Sequence, residues 1–380
     1  MPEIRIIPVE GFKRVVEAWD ASIGFHCFIA VHDCTLGPSL GGVRIFPYGT
    51  REDALHDALR LAEGMTYKSA LAQLGLGGGK SVIIADPKRQ KSPALLTAFA
   101  EVINALDGEY ITAEDLGSTV EDMALIGNVS PYVVGLSGAG RCGDPSRFTA
   151  YGVLQGMKAV AKMVKKTTSL RGLRIAIQGM GHVGSKLAEM LFWEGAELVI
   201  SDINRERVEE IAAAVSATTA TPESILQVEC DILAPCALGG VINDTTLPLF
   251  RCAAIAGAAN NQLERLEHGA ALIERNILYA PDYVINSGGI LTVIGELSPT
   301  GYSAVVARNR TEQIFHILSS IFELSLKENK ATSSVANELA ERYLREGISR
   351  REGPLYIAGK QVKQDCRATQ PLRTSLRTSN

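Results

Sequence analysis

The sequence predicts an α/β protein of two domains, and three observations carry that expectation. Short strand-like segments alternate with segments of helical periodicity, the pattern of parallel strands covered by helices. A complete G-x-G-x-x-G, Gly179-Met180-Gly181-His182-Val183-Gly184, stands directly between a strand and a helix. The run from Ser137 to Pro145, rich in glycine, has linker composition and divides the chain. With 380 residues, 46% of them hydrophobic, the chain exceeds one core of ordinary size and suits two.

In the first domain, residues 28–32 read as a strand, and Leu36 to Arg44 as a loop feeding the next one. Gly41 and Gly42 in that loop suit either a tight turn or a close ligand approach, and spacing alone favours the turn. Thr50 and Asp53 have capping spacing. Ala54, Leu55, Ala58, Leu61, Ala62 and Met65 then recur at helical intervals, so a helix is expected from about Thr50 to Leu74. Gly75, Gly77, Gly78 and Gly79 are expected to end it in a bend, with Lys80 at the mouth of a buried strand over 81–85.

Lys68 and Lys80 therefore flank a glycine-rich stretch. A phosphate-binding P-loop is excluded, because Leu74 stands where that motif needs its first glycine and the preceding segment is helical. Lysines set beside apolar segments can bind an anion or act as a base, although surface lysines are most often merely solvated. A helix over 93–106 and a strand over 110–113 follow, the strand ending in Glu114 and Asp115. Ser118 and Glu121 have the spacing of a capping box for the next helix. Asp115 thus sits at a strand's carboxyl end, where α/β proteins place functional groups, or else only satisfies nearby backbone donors.

The second domain opens with a helix over 149–164 and a buried strand over 174–178, which leads into the glycine motif. The helix 183–193 and the strand 198–202 follow, the strand ending in Asp202. In that context the glycines admit a pyrophosphate and the helix N-terminus stabilises its charge. Asp202 accepts the adenosine ribose hydroxyls. An acid there repels a 2′-phosphate and favours NAD over NADP, a preference that Arg205 weakens; His182 is expected to face solvent. Further βα units are read at 231–235, at 253–261 and at 283–290. Asn260 and Asn261 close the second of these, either bonding a nicotinamide ribose or capping the turn. Helices are expected near 311–326 and 333–346, and a mobile tail over 361–380.

Composition excludes several classes. A net charge of -4 and a pI near 6.0 give no electrostatic reason to invoke nucleic acid or an anionic membrane. The seven cysteines are scattered with no C-x-x-C pair, which fits a reducing cytoplasm, and no metal site is assigned. No signal-peptide core opens the chain and no apolar run reaches membrane-spanning length.

Read together, these motifs resemble the glutamate, leucine, phenylalanine and valine dehydrogenase family, nearest to its leucine-type members, over about residues 25–345. The resemblance rests on Leu36-Gly37-Pro38 with Gly41-Gly42, Gly64 to Lys68, Gly77 to Lys80, Ala113-Glu114-Asp115 and Thr149 to Gly152. It rests further on the dinucleotide loop, on Ala234 to Ala237, on Gly257 to Gln262 and on Ala280 to Asn286. It implies a mixed-sheet substrate domain over 1–146, with C-terminal helices of about 330–360 packing back on it. A doubly wound Rossmann NAD-binding domain over 147–330 would be separated from it by a cleft.

By resemblance, Lys68 holds the substrate α-carboxylate, Lys80 is the catalytic lysine with its pKa depressed by Lys68, and Asp115 exchanges protons with the substrate amine. Gly41, Gly42 and Asn261 lie near substrate and nicotinamide. Leu40, Met65, Ala113, Ile290 and Val293 line the side-chain pocket. Thr149, Ala237, Asn260 and Asn261 join the glycine motif and Asp202 in holding NAD. In glutamate-specific relatives a lysine occupies the position of Leu40, so an aliphatic L-amino acid, converted to a 2-oxo acid and ammonia, is the implied substrate. An aromatic amino acid and a non-catalytic NAD-binding relative are the alternatives. The resemblance also implies a homo-oligomer. The chain departs from the leucine-type pattern at Leu291 to Gly295, at Arg147 and after Arg350.

Overall fold

The computed structural model describes residues 1–138, 141–357 and 360–362. The chain forms two compact units: Met1–Gly143 with Val293–Ser303 and the residues from Ala340 onward, and Asp144–Thr292 with Ala304–Leu339.

The first unit is built on a six-stranded mixed sheet of β1 (Glu3–Ile7), β2 (Arg14–Asp20), β3 (Phe25–Asp33), β4 (Ser39–Phe46), β5 (Gly77–Ile84) and β6 (Tyr110–Glu114). The spatial order is β1-β2-β3-β5-β4-β6. Neighbours from β1 to β5 pair antiparallel, and β4 pairs parallel with both β5 and β6. Helices α1 (Arg51–Leu71), α2 (Pro93–Ala105) and α3 (Val120–Gly127) pack on it. Thr50 caps α1 as its spacing predicts, accepting the Asp53 N–H at 3.0 Å. The face that α1 buries is made of Ala54, Ala58 and Ala62, set against Val15, Phe28, Ala30 and Val82. Small residues there let the helix axis come close to the sheet.

That close approach corrects two expectations. The glycine-rich stretch is not a bend but the first half of β5, so Lys80 lies within the strand rather than at its mouth. A Cβ at Gly78 would lie 2.0 Å from the Thr66 nitrogen, and one at Gly77 1.9 Å from the Asp33 carbonyl oxygen. Glycine is required by packing here, not by a turn. Gly41 and Gly42 likewise lie inside β4, paired with Thr112 and Ala113 of β6, which replaces the turn reading. A third correction concerns α3, which is capped by Thr119 with Asp122 rather than by Ser118 with Glu121. The Ser118 hydroxyl is engaged elsewhere, accepting the Asp115 N–H at 2.9 Å. Strands β1 and β2 carry no motif and went unread in the sequence.

The second unit begins with α4 (Ser146–Lys165) and continues through β7 (Arg174–Gln178), α5 (His182–Trp193), β8 (Glu197–Ser201), α6 (Arg205–Val215) and β9 (Thr218–Thr219). It then runs through β10 (Cys230–Pro235), β11 (Cys252–Ile255), α7 (Glu267–Glu274), β12 (Leu278–Tyr279), α8 (Asp282–Ile285) and α9 (Gly288–Val293). The sheet is wholly parallel, in the order β12-β11-β10-β7-β8-β9, the doubly wound order whose reversal point falls between β7 and β10. The apolar run at 283–285, expected as a strand, is α8. Pro281 precedes it, and the Asp282 carboxylate accepts the Gln262 and Tyr283 N–H groups, while β12 lies earlier. Helices α10 (Ala304–Glu328) and α11 (Thr332–Glu346) and the hairpin β13 (Leu355–Ile357) and β14 (Lys360–Val362) are the last elements among the described residues. Of the expected mobile tail, 361 and 362 belong to β14, and 363–380 lie outside the described residues. Among the described residues no helix is long and apolar enough to cross a membrane.

Candidate active site

Three neighbouring strands of the first unit bring a cation, an anion and a second cation together. Lys80, on β5, is 5% exposed, and its Nζ lies 2.8 Å from Oδ2 of Asp115, the residue that follows β6. Arg44, on β4, donates from Nε to the same oxygen at 3.0 Å and from Nη1 to Asp57 Oδ2, on α1, at 2.9 Å. The Tyr48 hydroxyl donates to that Asp57 oxygen at 2.6 Å.

The electrostatics follow from this geometry. Burial pushes the Lys80 ammonium toward its neutral form; Asp115 opposes the shift, Arg44 adds to it, and the net direction is downward. Burial alone would raise the Asp115 carboxyl, but Lys80 and Arg44 outweigh it and hold the group below the usual carboxylate range. Arg44 is thus a cation beside Lys80 that the sequence reading did not name. A neutral lysine beside a persistent carboxylate can take a proton from water, which is the chemistry expected of a general base.

Glycines and hydroxyls fix the surroundings. A Cβ on Gly42 would lie 2.7 Å from the Asp115 Cβ, and one on Gly41 1.7 Å from the Gly79 carbonyl oxygen. Both are thus necessary for the Asp115 loop and β5 to come this close. Ser118 Oγ donates to the Val43 carbonyl at 3.0 Å, which ties the Asp115 loop to β4. The Tyr110 hydroxyl, itself fully buried, lies 2.8 Å from the Gly41 carbonyl oxygen and 2.9 Å from Ser81 Oγ.

The other residues singled out in this unit are distributed around that core. Leu40 is buried on β4, and Ala113 pairs with Gly42 across to β6. Met65 and Lys68, both half-buried, lie on α1 either side of Thr66, the residue that packs on Gly78 two positions before Lys80. Val293, also buried, starts the segment that returns to this unit.

In the second unit the glycine motif occupies the carboxyl end of β7. Gly179 has φ +99°, and a Cβ on it would press on Ala237 at 2.9 Å, just beyond β10. A Cβ on Gly184 would lie 1.9 Å from the Gly179 carbonyl oxygen, so the loop folds tightly onto α5. Gly181 is different: nothing lies within 4 Å of its Cβ position, and as the N-cap of α5 it leaves that helix without a side-chain cap. An open helix N-terminus with unfilled donors fits a pyrophosphate. Met180 is buried, Val183 half-buried and His182 exposed, and Asp202 Oδ2 accepts the Met180 N–H at 2.6 Å.

Thr149 Oγ1 would be 2.7 Å from a Cβ on Gly289, which places it beside Ile290. Asn261 adopts φ +51°, and the Asn260 Oδ1 accepts from Asn286 Nδ2 at 2.6 Å. The predicted residues thus form two groups, one in each unit. Sequence reasoning missed Arg44, Asp57 and Tyr48. The available signal was period two: Arg44 shares a strand face with Gly42, the glycine that abuts Asp115.

The family model described as the Glu/Leu/Phe/Val dehydrogenase dimerisation domain matches residues 13–130, and that of the Glutamate/Leucine/Phenylalanine/Valine dehydrogenase matches 200–342. The leucine dehydrogenase of Bacillus cereus is 46% identical over 355 residues, covering 90% of this chain and 96% of the relative. The phenylalanine dehydrogenase of Bacillus thermotolerans is 42% identical, covering 88% of each. The crystal structure of L-tryptophan dehydrogenase from Nostoc punctiforme superposes with a TM-score of 0.78 at 38% identity, over 89% of this chain and 97% of that one. Membership implies an enzyme that uses a nicotinamide cofactor. With a buried lysine paired to a half-buried aspartate on one sheet, a glycine loop on the other and this identity over nearly its whole length, the chain belongs to the Glu/Leu/Phe/Val family of amino-acid dehydrogenases.

Proposed function

We propose that the chain catalyses the reversible, NAD-dependent oxidative deamination of a branched-chain L-amino acid, leucine, valine or isoleucine, to its 2-oxo acid and ammonia. The observation that carries the reading is the pair of buried Lys80 with Asp115 at 2.8 Å in a chain 46% identical to a leucine dehydrogenase. Bound NAD supplies the acceptor for the hydride that leaves the substrate Cα. The residues of the chain do the rest. Lys68 pairs with the substrate α-carboxylate and fixes its orientation. Asp115, kept anionic by two cations, draws a proton from the substrate ammonium. Lys80, in its neutral form, takes a proton from the water that attacks the imine carbon, and Asp115 returns its proton to the nitrogen; as ammonia leaves, the hydroxyl proton passes to the Asp115 carboxylate, and this proton and the one on Lys80 are released to solvent.

Leu40 supports the choice of side chain. It is 1% exposed where glutamate-specific relatives carry a lysine, and a carboxylate buried against it without a partner would cost several kcal/mol. Met65, Ala113 and Val293, all in the same unit as Leu40, supply further apolar surface for an aliphatic group. Asp202 supports NAD over NADP, since a carboxylate repels a 2′-phosphate. Arg205, the one feature that weakened this preference, is paired with Glu209 at 2.9 Å. The pair of relatives acting on phenylalanine and tryptophan makes an aromatic substrate the second reading. The description of residues 13–130 as a dimerisation domain supports a homo-oligomer. The cysteines, all free thiols among the described residues, suit a cytoplasmic enzyme.

The test is NADH formation at alkaline pH with leucine, valine, isoleucine, phenylalanine, tryptophan and glutamate, repeated with NADP. Highest kcat/KM with a branched-chain substrate and NAD is expected. No turnover with any of the six refutes the reading, and a preference for phenylalanine or tryptophan replaces it with the second. Lys80→Ala is expected to abolish turnover while NADH still binds.

A further inference from the structure

The site contains more charge than the reaction's own residues require, and it is arranged in a row. Arg60 Nη2 lies 3.2 Å from Asp57 Oδ1, and Asp57 Oδ2 lies 2.9 Å from Arg44 Nη1. Arg44 Nε lies 3.0 Å from Asp115 Oδ2, which lies 2.8 Å from Lys80 Nζ. Signs alternate along this chain from a half-exposed arginine to a buried lysine. With Lys80 protonated the row carries one positive charge in excess, and with Lys80 neutral it is balanced.

This matters because Lys80 and Asp115 alone would form a poor base. A buried lysine whose only neighbour is a carboxylate holds its proton, since losing it leaves a poorly solvated anion without a cation. Arg44 removes that obstacle. It shares the oxygen that Lys80 holds, and its guanidinium does not deprotonate in a protein. Asp57 keeps Arg44 in place with a second bond and is itself bound by Arg60 and Tyr48.

We propose, resting on the deamination reading above, that Arg44 is a positioning residue: it holds the Asp115 carboxylate in Lys80's absence as a cation and so sets the pH at which Lys80 works as a base. The other groups around Lys80 are accounted for. From β3, His32 bonds Thr66 Oγ1 at 2.8 Å, and from β6 the Tyr110 hydroxyl is held at Gly41 and Ser81. From α1 come Asp57, which belongs to the row, and Lys68, given to the substrate carboxylate. Tyr48, bound to Asp57, has its hydroxyl pushed up by burial and stays neutral.

The test is the acid limb of the kcat/KM profile for amino-acid oxidation, measured on the full-length enzyme with the best substrate of the panel. Arg44→Gln is expected to move that limb about one pH unit to higher pH, because the lysine regains sole possession of the carboxylate. Arg44→Lys, which keeps a cation, leaves the limb close to its wild-type position. Asp57→Asn moves the limb the opposite way, because it removes an anion from the row while its amide oxygen still accepts from Arg44 and keeps the guanidinium on Asp115. A merely structural role would not give opposite signs. Melting temperature and NADH fluorescence confirm that each variant is folded.

A folded Arg44→Gln whose limb moves by less than about 0.3 pH unit overturns the proposal, as do shifts of the same sign in the Arg44 and Asp57 variants. If Arg44→Gln does not fold, the sign of the Asp57→Asn shift decides alone. The two levels fail separately: a wild-type enzyme inactive on every amino acid sinks the deamination reading, whereas active wild type, dead Lys80→Ala and an unmoved limb sink only the role of Arg44.

Discussion

Replacing Gly42 by alanine puts the geometry of the site to a direct test. The added Cβ would stand 2.7 Å from the Asp115 Cβ and 2.7 Å from the Glu114 carbonyl oxygen. Non-bonded carbons settle at about 3.5 to 4.0 Å, so one side must give by roughly 0.8 Å or more. Both contacts fall on atoms that the backbone fixes, so the Asp115 segment must shift against the bonds of 2.9 and 3.0 Å by which Ser118 ties it to β4, and the Asp115 carboxylate shifts with it. If it moves away from Lys80, a contact of 2.8 Å stretches to the edge of hydrogen bonding. A misplacement of about 1 Å costs on the order of a hundredfold in rate.

Overpacking of this kind also costs about 1 to 3 kcal/mol of stability. We expect Gly42→Ala to lower kcat for amino-acid oxidation about a hundredfold, and the melting temperature by about 2 to 8 °C. The Kd for NADH, read by fluorescence, should hold, because the glycine loop lies in the other unit. Gly49→Ala is the control, since its Cβ would make only an ordinary contact at 3.6 Å. A Gly42→Ala enzyme with kcat within about threefold of wild type refutes the argument that this glycine sets the Asp115 position.

Two further outcomes follow from other parts of the chain. Asp202→Ser should raise kcat/KM with NADP relative to NAD by about tenfold, because in the proposed cofactor site it removes the carboxylate that repels a 2′-phosphate; an unchanged ratio refutes the assignment of Asp202. Glu17 is held from 4.5 down to about 2, first by its bonds to Arg51 and, against burial, also by Arg5 and His26. Its native pKa lies below the unfolded one, so its contribution to stability is complete above pH 4.5 and is lost as pH falls toward 2. Glu17→Gln should therefore flatten the fall in melting temperature across that window, and a slope equal to wild type refutes the pairing.

The doubly wound unit was the more legible part of the sequence. Its strands are continuous apolar runs, its helices follow at short intervals, and Gly179 to Gly184 encodes a backbone shape that few other folds require. Even so, the run at 283–285 misled, because three apolar residues after a proline suit a strand as well as one turn of helix. The first unit was harder. Its glycines were read as punctuation, the commonest use of glycine, whereas Gly77 to Gly79 are flattened strand residues that make room for α1. Local sequence carries no mark that separates a glycine needed for φ from one needed for space.

The same limit explains why Lys80 and Asp115 could be named and Arg44 could not. The lysine and the aspartate stand in short recognisable contexts, a glycine run and a strand end. The arginine stands in an ordinary strand, and what gives it meaning is the parallel pairing of β4 between β5 and β6. That pairing brings residues 44, 80 and 115, far apart in the chain, onto one carboxylate oxygen. A charge in a strand interior is costly unless it is paired. Arg44, flanked by Val43 and Ile45, both fully buried, therefore had to have a partner somewhere on the sheet. The sequence shows that the debt exists, and only the strand order shows that Asp115 and Asp57 meet it.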